Sequence, residues 1–153
     1  MASINMGRVV AGGLVAGVVA NAIDFVTNTY ILAADMAAWA PTRNIDPATL
    51  NSPQVAGTWI FVDFIYGLLL VFTYAAMRPR FGAGVKTAVL AGLVVFLAPT
   101  IVLLGFTNMG VLTMPMFVKG TIGAIVSTLA AAVAGASVYK EEGSAAGSAY
   151  ARA

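Results

Sequence analysis

Two aspartates, Asp24 and Asp63, lie inside long apolar runs of this 153-residue chain, and they are its best candidates for chemistry. A charged aspartate at the middle of a membrane helix costs about 2.5–3.5 kcal/mol on insertion scales, so each needs a partner or a proton. Two carboxyls brought together in a low dielectric repel as anions, and the pair favours a shared proton or a bound cation. Asn21, Asn28 and Tyr66 stand close enough in helical register to assist them. Lys119 is a candidate to neutralise one aspartate, or to stretch out to the membrane interface. A packing role competes with the chemical one, because buried Asp–Asn, Asp–Tyr or Asp–Lys contacts also fix helix register.

Other chemistry is largely missing. The chain has no cysteine and no histidine, which removes disulfides, thiolate metal sites and the commonest haem and metal ligand. No nucleophile–base pair and no metal-binding cluster is legible, so the expectation is a protein that is not an enzyme and carries no cofactor or metal. The net charge of +2 rests on few residues and gives no reason to expect nucleic acid as a partner.

The elements that must position the aspartates follow from hydropathy. Hydrophobic residues make up 60% of the chain and charged residues 9%, against roughly 25% charged in soluble domains. Mean hydropathy is +0.92. Four apolar spans are expected at about 8–34, 55–77, 84–105 and 114–139, each longer than the roughly 20 residues needed to cross a bilayer. Backbone groups in lipid must pair within their own segment, so the spans are helices. The fold class is an all-α polytopic membrane protein, a four-helix bundle over residues 1–140. Residues 141–153 carry no apolar pattern and read as a disordered cytoplasmic tail. Arg8 with the apolar run 9–19 and the Ala20-Asn21-Ala22 triplet resembles a secretory signal. Hydrophobicity continues through Phe25, Tyr30 and Leu32, so the segment is expected to be retained as a span.

Basic residues set the orientation. Arg78, Arg80 and Lys86 lie between the second and third spans, Arg8 precedes the first, and Lys140 and Arg152 follow the fourth. Both termini are therefore expected in the cytoplasm. Asp24 follows Arg8 by 16 residues and Asp63 precedes Arg78 by 15. Both then sit roughly 22–24 Å from the cytoplasmic side at about 1.5 Å per residue.

The helix faces add detail. Gly13, Gly17, Asn21, Asp24 and Asn28 fall within about 80° of one another at 100° per residue, so this face must look into protein or water. Asp63, Gly67, Leu70 and Tyr74 share a side of the second helix. The third carries Gly84, Ala88 and Gly92 in register, then Pro99, which frees the Val95 carbonyl and should kink the helix. The fourth carries Gly120, Ala124, Ser127, Ala131 and Ala134. Such small-residue faces suit close packing within the bundle, or against another copy or another membrane protein.

In the connections, Trp39 is placed as an interface anchor. Asp46-Pro47 opens one short helical turn in an otherwise linker-like 35–54 stretch. Pro79 is expected to stop the second helix, and Thr113-Met114-Pro115 to start the fourth.

The hairpin Tyr74-Ala75-Ala76-Met77-Arg78-Pro79-Arg80-Phe81-Gly82-Ala83-Gly84-Val85-Lys86-Thr87-Ala88 resembles that of a group of small bacterial four-helix membrane proteins. The opening is similar too, with a basic residue, a Gly/Ala-rich first helix and the acid–aromatic pair Asp24-Phe25. The resemblance implies a multi-pass protein of the bacterial cytoplasmic membrane and no assigned activity. Small multidrug exporters carry a glutamate where this chain has Asp24. Fluoride channels carry a Thr-Phe-Ser run absent here, and thiol-oxidising bundles need cysteines. Intramembrane aspartyl proteases use Gly-x-Gly-Asp, whereas Asp24 and Asp63 follow Ala-Ile and Phe-Val.

Two functional expectations emerge. The first is an accessory or structural subunit packing into a homo- or hetero-oligomeric membrane complex through its Gly/Ala faces. The alternative is a small proton- or cation-coupled transporter or channel using Asp24 and Asp63.

Overall fold

A computed structural model describes residues 4–140. The described chain is helical, with no strand. Helix α1 (Met6–Val26) runs on through a π-helical stretch (Thr27–Leu32), α2 (Ala33–Trp39) and a 3-10 turn (Ala40–Arg43). The short α3 (Pro47–Leu50) leads into α4 (Pro53–Phe81), and α5 (Val85–Asn108) and α6 (Met114–Val138) follow. Four helical stretches are long and apolar enough to cross a membrane: Met6–Arg43, Pro47–Phe81, Val85–Asn108 and Met114–Val138. The expected tail 141–153 lies outside the described residues.

The long helices run up-down-up-down. Helix α1 packs on α4 and α6, and α5 packs on the same two, so α1 and α5 occupy opposite corners. One end of the bundle gathers Asn5, the 82–84 turn and Tyr139, and is here called the terminal end. The far end carries the 40–52 connection and the 109–113 turn.

Several local expectations hold. Asp46 caps α3 through Ala48 N at 2.9 Å, with Pro47 in the first turn. Thr113 caps α6, accepting from Met116 N.

Others need correction. Helical backbone runs past residue 34 to Arg43, so much of the 35–54 stretch expected as linker is helix. Asn44, with φ of 56°, ends it. Pro79 does not stop the second helix; it lies in the last turn of α4, where a proline forfeits one intrahelical bond but keeps a helical φ. The stop is made by Gly82 and Gly84, with φ of 83° and 127°. Their left-handed backbone turns the chain at little steric cost. Thr87 Oγ1 donates to Gly82 O at 2.7 Å, and Gly84 N donates to the Tyr74 hydroxyl at 3.1 Å, closing the hairpin. Gly84 therefore serves this turn and no packing face, since a Cβ there would meet nothing within 4 Å.

The terminal half is close-packed. A Cβ on Gly13 would fall 2.8 Å from Leu68 Cα, and one on Gly17 2.9 Å from Phe64 Cα. A Cβ on Gly67 would fall 2.4 Å from Gly13 O. Each step of four residues along α1 is matched by four back along α4, giving an antiparallel seam of backbone contacts. Ala88 is fully buried on α5, and Gly92 faces Leu129 and Ala132 of α6. Leu70, Val71 and Tyr74 fill the centre. Tyr74 meets Tyr139 edge-on at 5.9 Å, and the Arg78 guanidinium lies 5.6 Å from the Tyr139 ring centroid.

Candidate functional site

Above this core the bundle opens. A cavity of about 180 Å³ lies between all four long helices, walled by Asp24 of α1, Asp63 and Tyr66 of α4, Pro99 and Thr100 of α5, and Ala124, Ser127 and Thr128 of α6. Val62, Phe96 and Leu103 also wall it, and on α6 the small Ala124, Ser127 and Thr128 leave the space beside the aspartates unfilled. Small residues of α6 thus have two uses. Gly123 lets α6 close onto Thr27, where a Cβ would stand 2.4 Å from Thr27 Cγ2. Ala124 and Ser127 leave room at the aspartates. Gly120 lies more loosely, its nearest such neighbour being Leu32 at 3.9 Å.

A second, lateral cleft of about 450 Å³ runs between α1 with its π-helical extension and the α3–α4 segment. Asp24 and Asp63 lie at one end of it, and Pro47, Leu50 and Asn51 at the other. From Val55 to Asp63 the cleft spans about 12 Å along α4 at about 1.5 Å per residue. The two carboxylates form the partition between cavity and cleft. The shared polar centre expected from their matching depth is present in the geometry.

The seam explains why the cleft begins where it does. After Gly13–Leu68 and Gly17–Phe64, the next position in register pairs Asn21 with Ile60. Here a side-chain amide replaces glycine: Asn21 Nδ2 donates to Ile60 O at 3.3 Å and to its own Gly17 O at 2.9 Å. One step further, Phe25 and Ala56 no longer meet but line opposite walls of the cleft.

The π-helical stretch starts three residues after Asp24, a type of distortion often found at functional sites. Side chains cover the carbonyls at its entry. Thr27 Oγ1 donates to Ile23 O at 3.0 Å, and Asn28 Nδ2 donates to Asp24 O at 2.8 Å. Asn21 and Asn28 therefore hold backbone and do not clamp the carboxylates, although both line the cleft.

Tyr66 has a definite task. Its hydroxyl donates to Val95 O at 3.2 Å, the carbonyl that Pro99 deprives of its intrahelical partner. Helix α5 is continuous through Pro99, and this bond joins α4 to α5 at the floor of the cavity.

Lys119 is placed elsewhere. Its Nζ lies 2.6 Å from Asp35 Oδ2, roughly 16 Å beyond Asp24 along the helical path at about 1.5 Å per residue. The pair ties α2 to α6, and neutralisation of Asp24 or Asp63 by Lys119 is not what the structure contains. Among the described residues, neither aspartate has a lysine or arginine at ion-pairing distance. Ser127 lines the cavity together with Asp24. Sequence reasoning had placed Ser127 on a packing stripe. It also missed Thr100 and Thr128, whose only signal was a hydroxyl near Pro99 or beside Ser127.

The far end is roofed from one side. Trp39 Nε1 donates to Val111 O at 2.8 Å, and the Arg43 guanidinium donates to Gly110 O. Trp39 thus has a hydrogen-bonded place on the α5–α6 turn. These bonds draw the α1 extension toward α5 and α6, away from α4. Among the described residues no group of three or more histidine, cysteine or acidic side chains is arranged to hold a metal ion. No protein-family model, curated protein or solved structure matches this chain.

Proposed function

We propose that this chain is a small multi-pass membrane protein that binds and moves a proton or monovalent cation through Asp24 and Asp63. One observation carries the reading: the two half-buried carboxyls face the same cavity and cleft, with no ion-paired lysine or arginine among the described residues. Each carboxylate would cost about 2.5–3.5 kcal/mol at mid-helix. Neighbouring anions in low dielectric are relieved by a proton or a cation. A cavity of about 180 Å³ holds about six waters at ~30 Å³ each, ample for a small hydrated ion. Toward the terminal end the glycine seam closes the path, so access is from the far end.

By the basic residues of the 78–86 hairpin, the terminal end faces the cytoplasm and the cleft faces outward. The resemblance of that hairpin supports a bacterial cytoplasmic membrane. The test is flux into proteoliposomes under an imposed pH or sodium gradient. Wild-type protein should dissipate one of them, and Asp24→Asn and Asp63→Asn should each slow it at least tenfold. Equal flux from the double variant and the wild type would sink the reading.

A second reading, the non-enzymatic accessory subunit, is favoured by the poor covering of α4. It is the least buried of the four spans, and its Trp59, Ile60 and Phe61 are exposed. The Gly/Ala faces that first suggested oligomers lend it little, because Gly13, Gly17, Ala88 and Gly92 are engaged within the bundle. Purification in a mild detergent decides it: a lone monomer without companion proteins counts against this role.

A further inference from the structure

We infer that the lateral cleft is a binding site for an organic cation with an apolar body, such as an aromatic or alkyl ammonium or phosphonium. Its charge would lie toward Asp24 and Asp63 and its hydrocarbon against Phe25, Trp59 and Ile60. The inference rests on the reading of the aspartate pair as a cation site and adds the class of ligand.

Size is the first argument. A proton or a bare alkali ion has no use for about 450 Å³, and the central cavity already offers such ions room. Pockets of roughly 300–1,000 Å³ are those that enclose drug-sized molecules.

Charge is the second. The charged residues lining the cleft are Asp24 and Asp63, and no lysine or arginine lines it. An anion, or the phosphate of a lipid headgroup, would be repelled from its aspartate end. An acyl chain would offer those carboxylates nothing.

The walls supply the third. Phe25 and Trp59 are both 64% exposed in the isolated chain and both line the cleft. Aromatic faces suit an apolar body and attract a cation placed over them, by about 0.5–2 kcal/mol. Asn28 and Thr29 add polar groups on the α1 wall beyond Asp24, and Phe25, Trp59 and Ile60 supply apolar surface beside them. That distribution matches a molecule with one charged centre in a hydrocarbon frame.

Equilibrium binding of radiolabelled tetraphenylphosphonium to the full chain in zwitterionic nanodiscs tests this, with lipid-only discs as background. Wild-type protein should bind one cation per chain saturably. The Asp24→Asn/Asp63→Asn double variant should weaken binding at least tenfold. Ala56→Trp and Ala37→Trp, which fill the cleft from opposite walls at exposed positions, should each do the same while keeping wild-type helicity and monodisperse elution. Saturable binding indifferent to both tryptophans would overturn the inference, as would a co-purifying phospholipid that the cation does not displace. No saturable binding by protein that still shows aspartate-dependent ion flux would overturn it alone and leave the proposed function standing. The converse, binding that needs both aspartates and cleft without any ion flux, would keep the inference and remove the transport reading.

Discussion

The two halves of this bundle use the same small residues to opposite ends. In the terminal half, Gly13, Gly17 and Gly67 bring α1 and α4 so close that an added Cβ would strike backbone. In the far half, Ala124, Ser127, Thr128 and Thr100 face two carboxylates across open space. What differs is the opposing surface. Against another backbone a small side chain yields contact, and dispersion from many atoms holds the helices. Against the Asp24 and Asp63 carboxylates the same small side chain yields a hollow. The packed half is the foundation and the hollow half holds the proposed site. The division falls at Asn21, where an amide takes the place of the next seam glycine.

Substitutions can break or sharpen that contrast. The largest effect is expected for Gly67→Ala, whose new methyl has no room on the α1 backbone. Overpacking of this kind costs about 1–3 kcal/mol, read as a lower melting temperature in detergent. A wild-type melting temperature would mean the seam is looser than described.

Tyr66→Phe should come next, at about 1 kcal/mol, because it strands the Val95 carbonyl at the boundary between the halves. If stability and ion flux both stay unchanged, the bond does not secure α5. Gly57→Ala, in the open half, meets nothing within 4 Å and should stabilise by about 0.5–1 kcal/mol through helix preference alone. Destabilisation there would reveal a contact made by this stretch of α4, such as with a second chain. Lys119→Ala should matter least, at about 0–1 kcal/mol, since Lys119 is 45% exposed in its pair with Asp35. Its effect should fade further in high salt.

Much of this was legible in the residues. Hydropathy gives the four spans, and a rise of about 1.5 Å per residue puts Asp24 and Asp63 level. The 100° step gathers Gly13, Gly17, Asn21 and Asp24 onto one face. The caps at Asp46 and Thr113 rest on side-chain oxygens that any helix start can use. What escaped depends on tertiary geometry or on irregular helix. Polar residues and Pro41, Pro47 and Pro53 make 35–54 read as linker, yet Pro41 sits in a 3-10 turn and Pro47 and Pro53 each open a helix. Lys119 finds Asp35 only because the path to Arg43 is helical and brings Asp35 beside α6. Pro79 looked like a stop, yet a proline in a last turn costs only one bond. Tyr66 and Val95 belong to different helices, and no spacing in the chain announces their bond.

The roof bonds have a mechanical meaning. Trp39 and Arg43 fasten the α1 extension to the α5–α6 turn, which leaves the upper stretch of α4 unbraced on the cleft side. That stretch extends about 7.5 Å past its last seam contact, Asn21 with Ile60, to Val55. The two walls of the cleft are thus anchored to different partners, that of α1 to the α5–α6 turn and that of α4 to α1 through Asn21.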